Sequence, residues 1–131
     1  MSTRGWPAAD FLARIGSEIG VSDWHLIDQR RIEEFAVVTD DDQFIHTVPE
    51  RARTTAFCGT IAHGYLTLSL LSAMARSALP IIEGTKFSLN YGFDKIRFLA
   101  HVPSGARIRA RLRCRTCPSA TQASGAWLLA S

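Results

Sequence analysis

The sequence predicts an α+β domain in which helices come first and antiparallel strands follow. The strongest element is the run 61–79, which is apolar on nearly every face, a pattern typical of a buried helix. Pro80 ends this helix, and after it the pattern changes to short segments typical of strands. One central buried helix between amphipathic helices and strands favours an α+β chain.

Two amphipathic helices are predicted before the central one. Residues 7–20 carry apolar side chains at helical spacing, and residues 22–28 are short and mixed, which suggests an edge strand. Residues 29–38 form the second predicted helix, which Asp28 can cap. The three adjacent aspartates at 40–42 compete for backbone hydrogen bonds, so we expect the helix to end there.

Strand patterns dominate the second half of the chain. Residues 44–58 are predicted as loop with one helical turn after Pro49, and residues 86–91 and 94–101 are candidate strands. Residues 107–115 alternate strictly between arginine and an apolar or small residue. This alternation predicts a half-buried strand with all its arginines on one face.

The composition excludes several classes of protein. The 131 residues are 47% hydrophobic and 21% charged, which suits one globular domain spanning 1–131. No apolar run is long enough to cross a membrane, and no signal peptide is recognisable, so we expect a cytoplasmic protein. The three cysteines do not suggest a disulfide framework. The single CxxC, Cys114 and Cys117, lacks further ligands, so no metal is expected.

Four residues form a candidate active site on chemical grounds. Asp41 and His46 share a loop after a helix, and a carboxylate with an imidazole makes an acid/base pair. His63 and Gly64 lie at the start of the buried helix, where free backbone N–H groups and the helix dipole suit a developing oxyanion. Gly64 allows a carbonyl group to approach the backbone closely. Each residue also has an ordinary structural explanation, as a cap or a hydrogen-bonding partner.

Two segments resemble the signature of the MaoC-like hydratases. The first reads FAVVTDDDQFIH over 35–46 and continues as PERA over 49–52, and the second reads FCGTIAHGYL over 57–66. Both match the family in sequence and in separation. The run NYGFDKIRF over 90–98 most resembles the NodN-like branch, and the resemblance covers roughly residues 21–115.

The resemblance implies a hot-dog fold, in which a long helix, here 61–79, is wrapped by a curved antiparallel sheet and the protein is normally a homodimer. It implies R-specific hydration of trans-2-enoyl-CoA thioesters, with CoA as part of the substrate and no separate cofactor. Asp41 would orient and deprotonate water for attack at C3. His46 would take part in the same step and deliver a proton to C2, while the Gly64 N–H would bind the thioester oxygen. Substrate-binding roles are expected for His63, Ser72, Asn90 and Arg97.

The sequence departs from the family pattern in two places. Asp40 stands where the family commonly has glycine before the catalytic aspartate. Residues 116–131 lack the clear alternation of the family's last strands, so we expect a divergent or poorly ordered tail and a truncated sheet.

The arginine row has two interpretations. A solvated outer face of the sheet is the favoured one, and a cradle for the CoA phosphates is the other. Binding to nucleic acid is not expected, because the strand carries no aromatic residues for base stacking. The row comprises Arg107, Arg109, Arg111, Arg113 and Arg115.

Two other functions remain open. A thioesterase on the same fold would also need a carboxylate and a helix N-terminus, although the spacing from Asp41 to His46 favours hydration. A non-catalytic acyl-binding or dimerising protein is compatible with the divergent tail.

Overall fold

Short helices and two small antiparallel ladders make up the described part of the chain. The computed structural model describes residues 5–115. Strand β1 pairs with β4, and β2 pairs with β3, both antiparallel. In chain order the elements are α1 (Ala8–Leu12), β1 (Glu18–Val21), β2 (His25–Ile27), α2 (Gln29–Thr39), α3 (Phe44–Thr47), α4 (Pro49–Ala52), α5 (Gly64–Ser69), α6 (Leu71–Ala78), β3 (Ala106–Ile108) and β4 (Arg111–Arg113).

The described residues form two compact units. The first unit comprises residues 5–23, 72–96 and 109–115, and the second comprises 24–71 and 97–108. A single domain over the whole chain stays a prediction. The final segment, 116–131, and with it the predicted tail and Cys117, lies outside the described residues. None of the helices within 5–115 is long and apolar enough to cross a membrane.

The second unit has its own hydrophobic core. Helix α2 is amphipathic and buries Ile32 and Ala36, which confirms the helix predicted at 29–38. Asp28 caps it as expected, because its carboxylate accepts a hydrogen bond from the Arg31 amide at 2.9 Å. The buried members of the core are Ile27, Ile32, Ala62 and Leu66, with Phe35, Leu70, Val102 and Ile108 packed against them.

The predicted helix 61–79 is wrong in its bounds. Residues 61 and 62 are extended instead, since Ile61 bridges to Pro103 and the Ala62 amide donates to the Val102 carbonyl at 2.8 Å. The helical part is divided into α5 and α6 after Ser69. The Ser69 hydroxyl donates to the Tyr65 carbonyl at 2.6 Å, and such side-chain competition for helix carbonyls weakens a helix locally.

The candidate strands 86–91 and 94–101 are also wrong, because no residue between 86 and 101 is in a strand. The apolar side chains of the first segment do alternate, at Phe87, Leu89 and Tyr91, but all three are exposed. A strand needs a hydrogen-bonded neighbour as well as an alternating pattern, and no described strand pairs with this segment.

The structure corrects one further prediction and refines another. The predicted helix 7–20 ends as α1 at Leu12, and β1 occupies its last third, because Gly16 adopts a φ of 86° and turns the chain. The strand predicted at 107–115 is divided into β3 and β4, which pair with different strands. Its alternation is confirmed over residues 110–113, since Ala110 and Leu112 are fully buried whereas Arg111 and Arg113 are exposed.

Candidate active site

The backbone around Asp41 is held by the end of helix α2. Asp40 adopts left-handed dihedral angles (φ 56°, ψ 25°), and the Asp41 amide donates to the Ala36 carbonyl at 3.1 Å. A left-handed residue followed by this hydrogen bond is the Schellman motif, whose left-handed position favours glycine and tolerates aspartate or asparagine. The departure from the family at residue 40 is therefore accommodated locally, and Asp41 keeps its place.

His46 is a buried histidine with one ring nitrogen left for chemistry. It lies on α3 and is 6% exposed. Its Nδ1–H donates to the Ile61 carbonyl oxygen at 2.7 Å, and a carbonyl can only accept, so Nδ1 must carry the proton. The neutral ring therefore has its lone pair on Nε2, where it can act as a base.

His63 links the other two residues. It is the N-cap residue of α5 and is 3% exposed. Its Nε2–H donates to the backbone carbonyl of Asp41 at 2.8 Å, and its ring stacks on that of His46 with centroids 3.8 Å apart. Its Nδ1 is buried and has no hydrogen-bond partner among the described residues, so a proton added there would also lack an acceptor. His63 thus contacts both neighbours, through its hydrogen bond to Asp41 and its stacking on His46.

The structure brings together three of the residues that the sequence singled out. Asp41, His46 and His63 each place one side-chain O or N atom within 4.8 Å of the others, and both histidines are buried. Segments 22 residues apart in sequence meet through the hydrogen bond between His63 and Asp41. The cluster holds a carboxylate beside an imidazole whose neutral tautomer carries its lone pair on Nε2, which is an arrangement suited to proton transfer.

The same three residues are poorly arranged for a shared metal ion. An imidazole nitrogen binds a metal along its lone pair, which lies in the ring plane. The two rings have centroids 3.8 Å apart and planes inclined by 24°. Stacked rings inclined by so small an angle hold their lone pairs in two nearly parallel planes, which converge poorly on one ion at bonding distance. The expectation of a metal-free site therefore stays a prediction that the ring geometry supports.

Gly64 is the first residue of α5, directly after His63. The amide of a first helical residue has no carbonyl partner inside its own helix, so its N–H is available to a ligand. A Cβ atom at this position would lie 3.1 Å from atoms of the Phe98 ring, which is tighter than ordinary contact. The position therefore favours glycine, because a side chain there would require the ring or the backbone to shift by a few tenths of an ångström.

The remaining predicted substrate-binding residues are Ser72, Asn90 and Arg97. Ser72 and Asn90 belong to the first unit and contact one another, since the Ser72 hydroxyl donates to Asn90 Oδ1 at 3.3 Å. Arg97 belongs to the second unit and is exposed. Their roles in substrate binding stay predictions.

The arginine row lies mostly on the surface, as the favoured interpretation expects. Arg111 forms an ion pair with Glu18 at 2.8 Å. This hydrogen-bonded guanidinium holds the pKa of the Glu18 carboxyl below its usual value, and the charges of Arg113 and Arg109 act in the same direction. Binding of CoA phosphates by the row stays a hypothesis.

Sequence reasoning missed two residues beside the site. Gln29 donates its side-chain amide to the His46 carbonyl at 2.8 Å, and the Thr60 hydroxyl donates to the Gln29 side-chain oxygen. Nothing in the hydrophobic pattern marks either residue, because a polar side chain in the first turn of a helix is common. Only the tertiary contact distinguishes Gln29 from its exposed neighbours.

Comparison with known proteins identifies the family. A family model described as a MaoC like domain matches residues 10–126. The chain belongs to the MaoC-like family. The hot-dog prediction is thereby confirmed, because the structural neighbours of this chain are MaoC-like hot-dog proteins. One of them is the R-hydratase PhaJ1 from Pseudomonas aeruginosa, with a TM-score of 0.63 and 30% identity over 79% of this chain and 63% of that one.

Two further MaoC-like relatives are more similar in sequence. Nodulation protein N of Rhizobium leguminosarum bv. viciae is 51% identical over 110 residues, covering 83% of this chain and 68% of the relative. The 3-hydroxyacyl-thioester dehydratase Z of Mycobacterium tuberculosis is 45% identical over 102 residues, covering 78% and 67%. The chain thus spans about two thirds of these proteins. Together with the family, they support a hydratase or dehydratase class of activity.

Proposed function

We propose that this protein adds water to trans-2-enoyl-CoA thioesters with R stereochemistry, and catalyses the reverse dehydration. The observation that carries the proposal is the convergence of Asp41, His46 and His63 within 4.8 Å, with the His46 lone pair on Nε2. The hydratase and dehydratase among the relatives support the same reaction class.

Water addition needs a base for the water and a stabiliser for the thioester oxygen. The Asp41 carboxylate and His46 Nε2 hold the water, whose oxygen forms a bond to C3 while the C2=C3 electron pair moves toward the carbonyl oxygen. The proton lost by the water passes to the Asp41–His46 pair and is then delivered to C2, so that one water molecule adds across the double bond. His46 can hold this proton because its Nδ1–H remains bound to the Ile61 carbonyl. An acid/base pair of this kind contributes about 10²–10⁴-fold.

The negative charge that develops on the thioester oxygen is assigned to the Gly64 N–H. A fixed backbone donor at such an oxygen is worth about 3–4 kcal/mol. The absence of a side chain lets the carbonyl approach, and the Phe98 ring lies against the Gly64 backbone. His63 supports both groups, since it directly precedes Gly64 and hydrogen-bonds the Asp41 backbone.

We also propose that the protein is a cytoplasmic homodimer. The alternating apolar side chains Phe87, Leu89 and Tyr91 are 75%, 82% and 87% exposed in the single chain. Large exposed apolar groups that recur along one segment are typical of interaction surfaces. Light scattering after size exclusion should give twice the mass of the chain, and a monomer that is active would contradict this part of the proposal.

A single set of assays tests the function. Hydration removes the conjugated double bond, so the absorbance of the conjugated thioester of crotonyl-CoA should fall in the presence of the protein while no free CoA is released. Release of free CoA, detected with a thiol reagent, without loss of the conjugated double bond would replace the proposal with thioester hydrolysis. Binding of crotonyl-CoA without either change would indicate a non-catalytic acyl-binding protein.

A further inference from the structure

Gln29 uses its side-chain amide to join separate parts of the second unit. It is the first residue of α2, and its Nε2–H donates to the His46 carbonyl at 2.8 Å. Its Oε1 accepts a hydrogen bond from the Thr60 hydroxyl, and Nε2 also reaches Glu33 at 3.2 Å on the exposed side. One amide therefore donates to the segment that carries His46 and accepts from the segment that precedes Ile61.

The tautomer of His46 depends on how close these two segments lie to one another. The Ile61 amide donates to the Ile45 carbonyl at 3.0 Å, and His46 Nδ1–H donates to the Ile61 carbonyl at 2.7 Å. His46, Thr60 and Ile61 are all buried, so a hydrogen bond lost there would not be replaced by water without cost. The bond from Nδ1 keeps the lone pair on Nε2, and it persists only while the two segments stay in register.

We propose that Gln29 is a positioning residue, which holds the two segments together so that His46 keeps its Nδ1–H tautomer and presents Nε2 to the reaction. Only the expected change in kcat rests on the proposed function; the positioning role itself does not. A primary amide suits the task because it donates to a carbonyl and accepts from a hydroxyl at once. Glutamate cannot donate to the His46 carbonyl when ionised, and methionine forms neither bond.

The kinetic test compares Gln29→Met and Gln29→Glu with the matched variant Glu33→Gln. Glu33→Gln alters only the exposed partner of the same amide and should leave kcat and KM within twofold of the original protein. Both Gln29 variants should lower kcat by about tenfold and leave KM within twofold, because the substrate does not touch Gln29. Unchanged kcat in Gln29→Met would overturn the proposal, and so would a fall that disappears when kcat is expressed per folded molecule.

Thr60 supplies a second pair of variants, which also serves if Gln29→Met does not fold. Thr60→Val removes the hydroxyl that anchors the Gln29 oxygen and should lower kcat severalfold, whereas Thr60→Ser keeps the hydroxyl and should restore it. If the two residues act through one hydrogen bond, the double variant Gln29→Met with Thr60→Val should be no slower than Gln29→Met alone. Independent, multiplicative losses would contradict the shared route.

A spectroscopic test does not depend on activity. The ¹⁵N signals of the His46 ring distinguish the protonated nitrogen from the unprotonated one, and the original protein should show Nδ1 protonated at neutral pH. Gln29→Met should mix the two tautomers, while Glu33→Gln should not. If no hydratase activity exists but the His46 signals respond in this way, the positioning role stands and the proposed function fails. Identical His46 signals in Gln29→Met would overturn the positioning role.

Discussion

Two stretches of this chain lie largely outside long helices and strands, yet they differ sharply in their contacts. The stretch 40–63 is tied by hydrogen bonds from Asp41, His46 and His63, and both histidine rings are buried. The stretch 86–96 has no assigned helix or strand and is exposed throughout. A stretch without long helices or strands can thus still be held in place when its polar groups find buried partners in the same chain.

The contrast also separates two kinds of apolar residue. Apolar side chains around the site pack inside the second unit, as Ile32 and Leu66 do. Those of the other stretch alternate along an extended segment and remain uncovered, as Leu89 does. The first group stabilises the fold of the chain itself, whereas the second leaves apolar surface exposed that a second protein surface can cover.

The largest expected effect is the loss of activity in Asp41→Asn or His46→Gln. Each variant should lower kcat by about 10²-fold or more, since each removes one member of the acid/base pair. Circular dichroism should show the fold retained. Asp40→Asn is the matched control and should be mild, because asparagine also accepts the left-handed conformation. A larger loss in Asp40→Asn than in Asp41→Asn would show that Asp40, and not Asp41, is the carboxylate of the acid/base pair.

Stability measurements compare the two stretches directly. Ile32→Ala creates a cavity at a fully buried position and should lower the free energy of unfolding by about 2–5 kcal/mol. Leu89→Ala shortens a side chain that is 82% exposed. It should change the free energy of unfolding of the isolated chain by less than about 0.5 kcal/mol. Chemical denaturation at several protein concentrations measures both. A loss for Leu89→Ala that is large at high protein concentration and shrinks on dilution would show that this stretch is covered by a second copy.

A smaller effect is expected at Gly64. In Gly64→Ala the new Cβ would lie 3.1 Å from the Phe98 ring, so the helix start or the ring must move by a few tenths of an ångström. Hydratase kinetics should show kcat lowered by about tenfold. This is less than the cost of losing an oxyanion donor completely, because the Gly64 N–H is displaced and not removed. The double variant Gly64→Ala with Phe98→Leu should recover part of it, because leucine leaves more room. No recovery would mean that the ring is not the obstacle.

The smallest effect concerns the ion pair between Glu18 and Arg111, which belong to neither stretch. Arg111 lowers the folded-state pKa of Glu18, so the pair stabilises the fold above the ordinary carboxyl pKa and ceases to do so as pH falls through the lowered value. Glu18→Gln should therefore lower Tm slightly at neutral pH, and the difference should vanish in acid and shrink in high salt. A difference that persists at the lowest pH would rule out this charge effect.

Local pattern was sufficient for some elements and misleading for others. Helix α2, its Asp28 cap and its end at the aspartates were correctly predicted, because they depend on contacts within one turn or two. Strands at 86–101 and an unbroken helix at 61–79 were not observed. Both errors concern segments whose conformation depends on distant partners, such as the bridge between Ile61 and Pro103.

The candidate site was predicted in part. Two short motifs identified Asp41, His46, His63 and Gly64, and the structure brings the first three side chains together. Gln29 and Thr60 could not be found in this way, since a glutamine at a helix start and a threonine in a loop have many ordinary uses. Their importance follows from hydrogen bonds across 17 and 31 residues of chain.

The sequence by itself determined the family, the α+β class, and which side chains are candidates for acid/base chemistry, because these depend on residue types at short, fixed spacings. Tertiary structure alone decided the tautomer of His46, the stacking of His63 on its ring, and the amide bridge of Gln29. The reason is physical: a carbonyl oxygen selects a tautomer only when it lies within hydrogen-bonding distance, and folding brings that carbonyl from a distant segment.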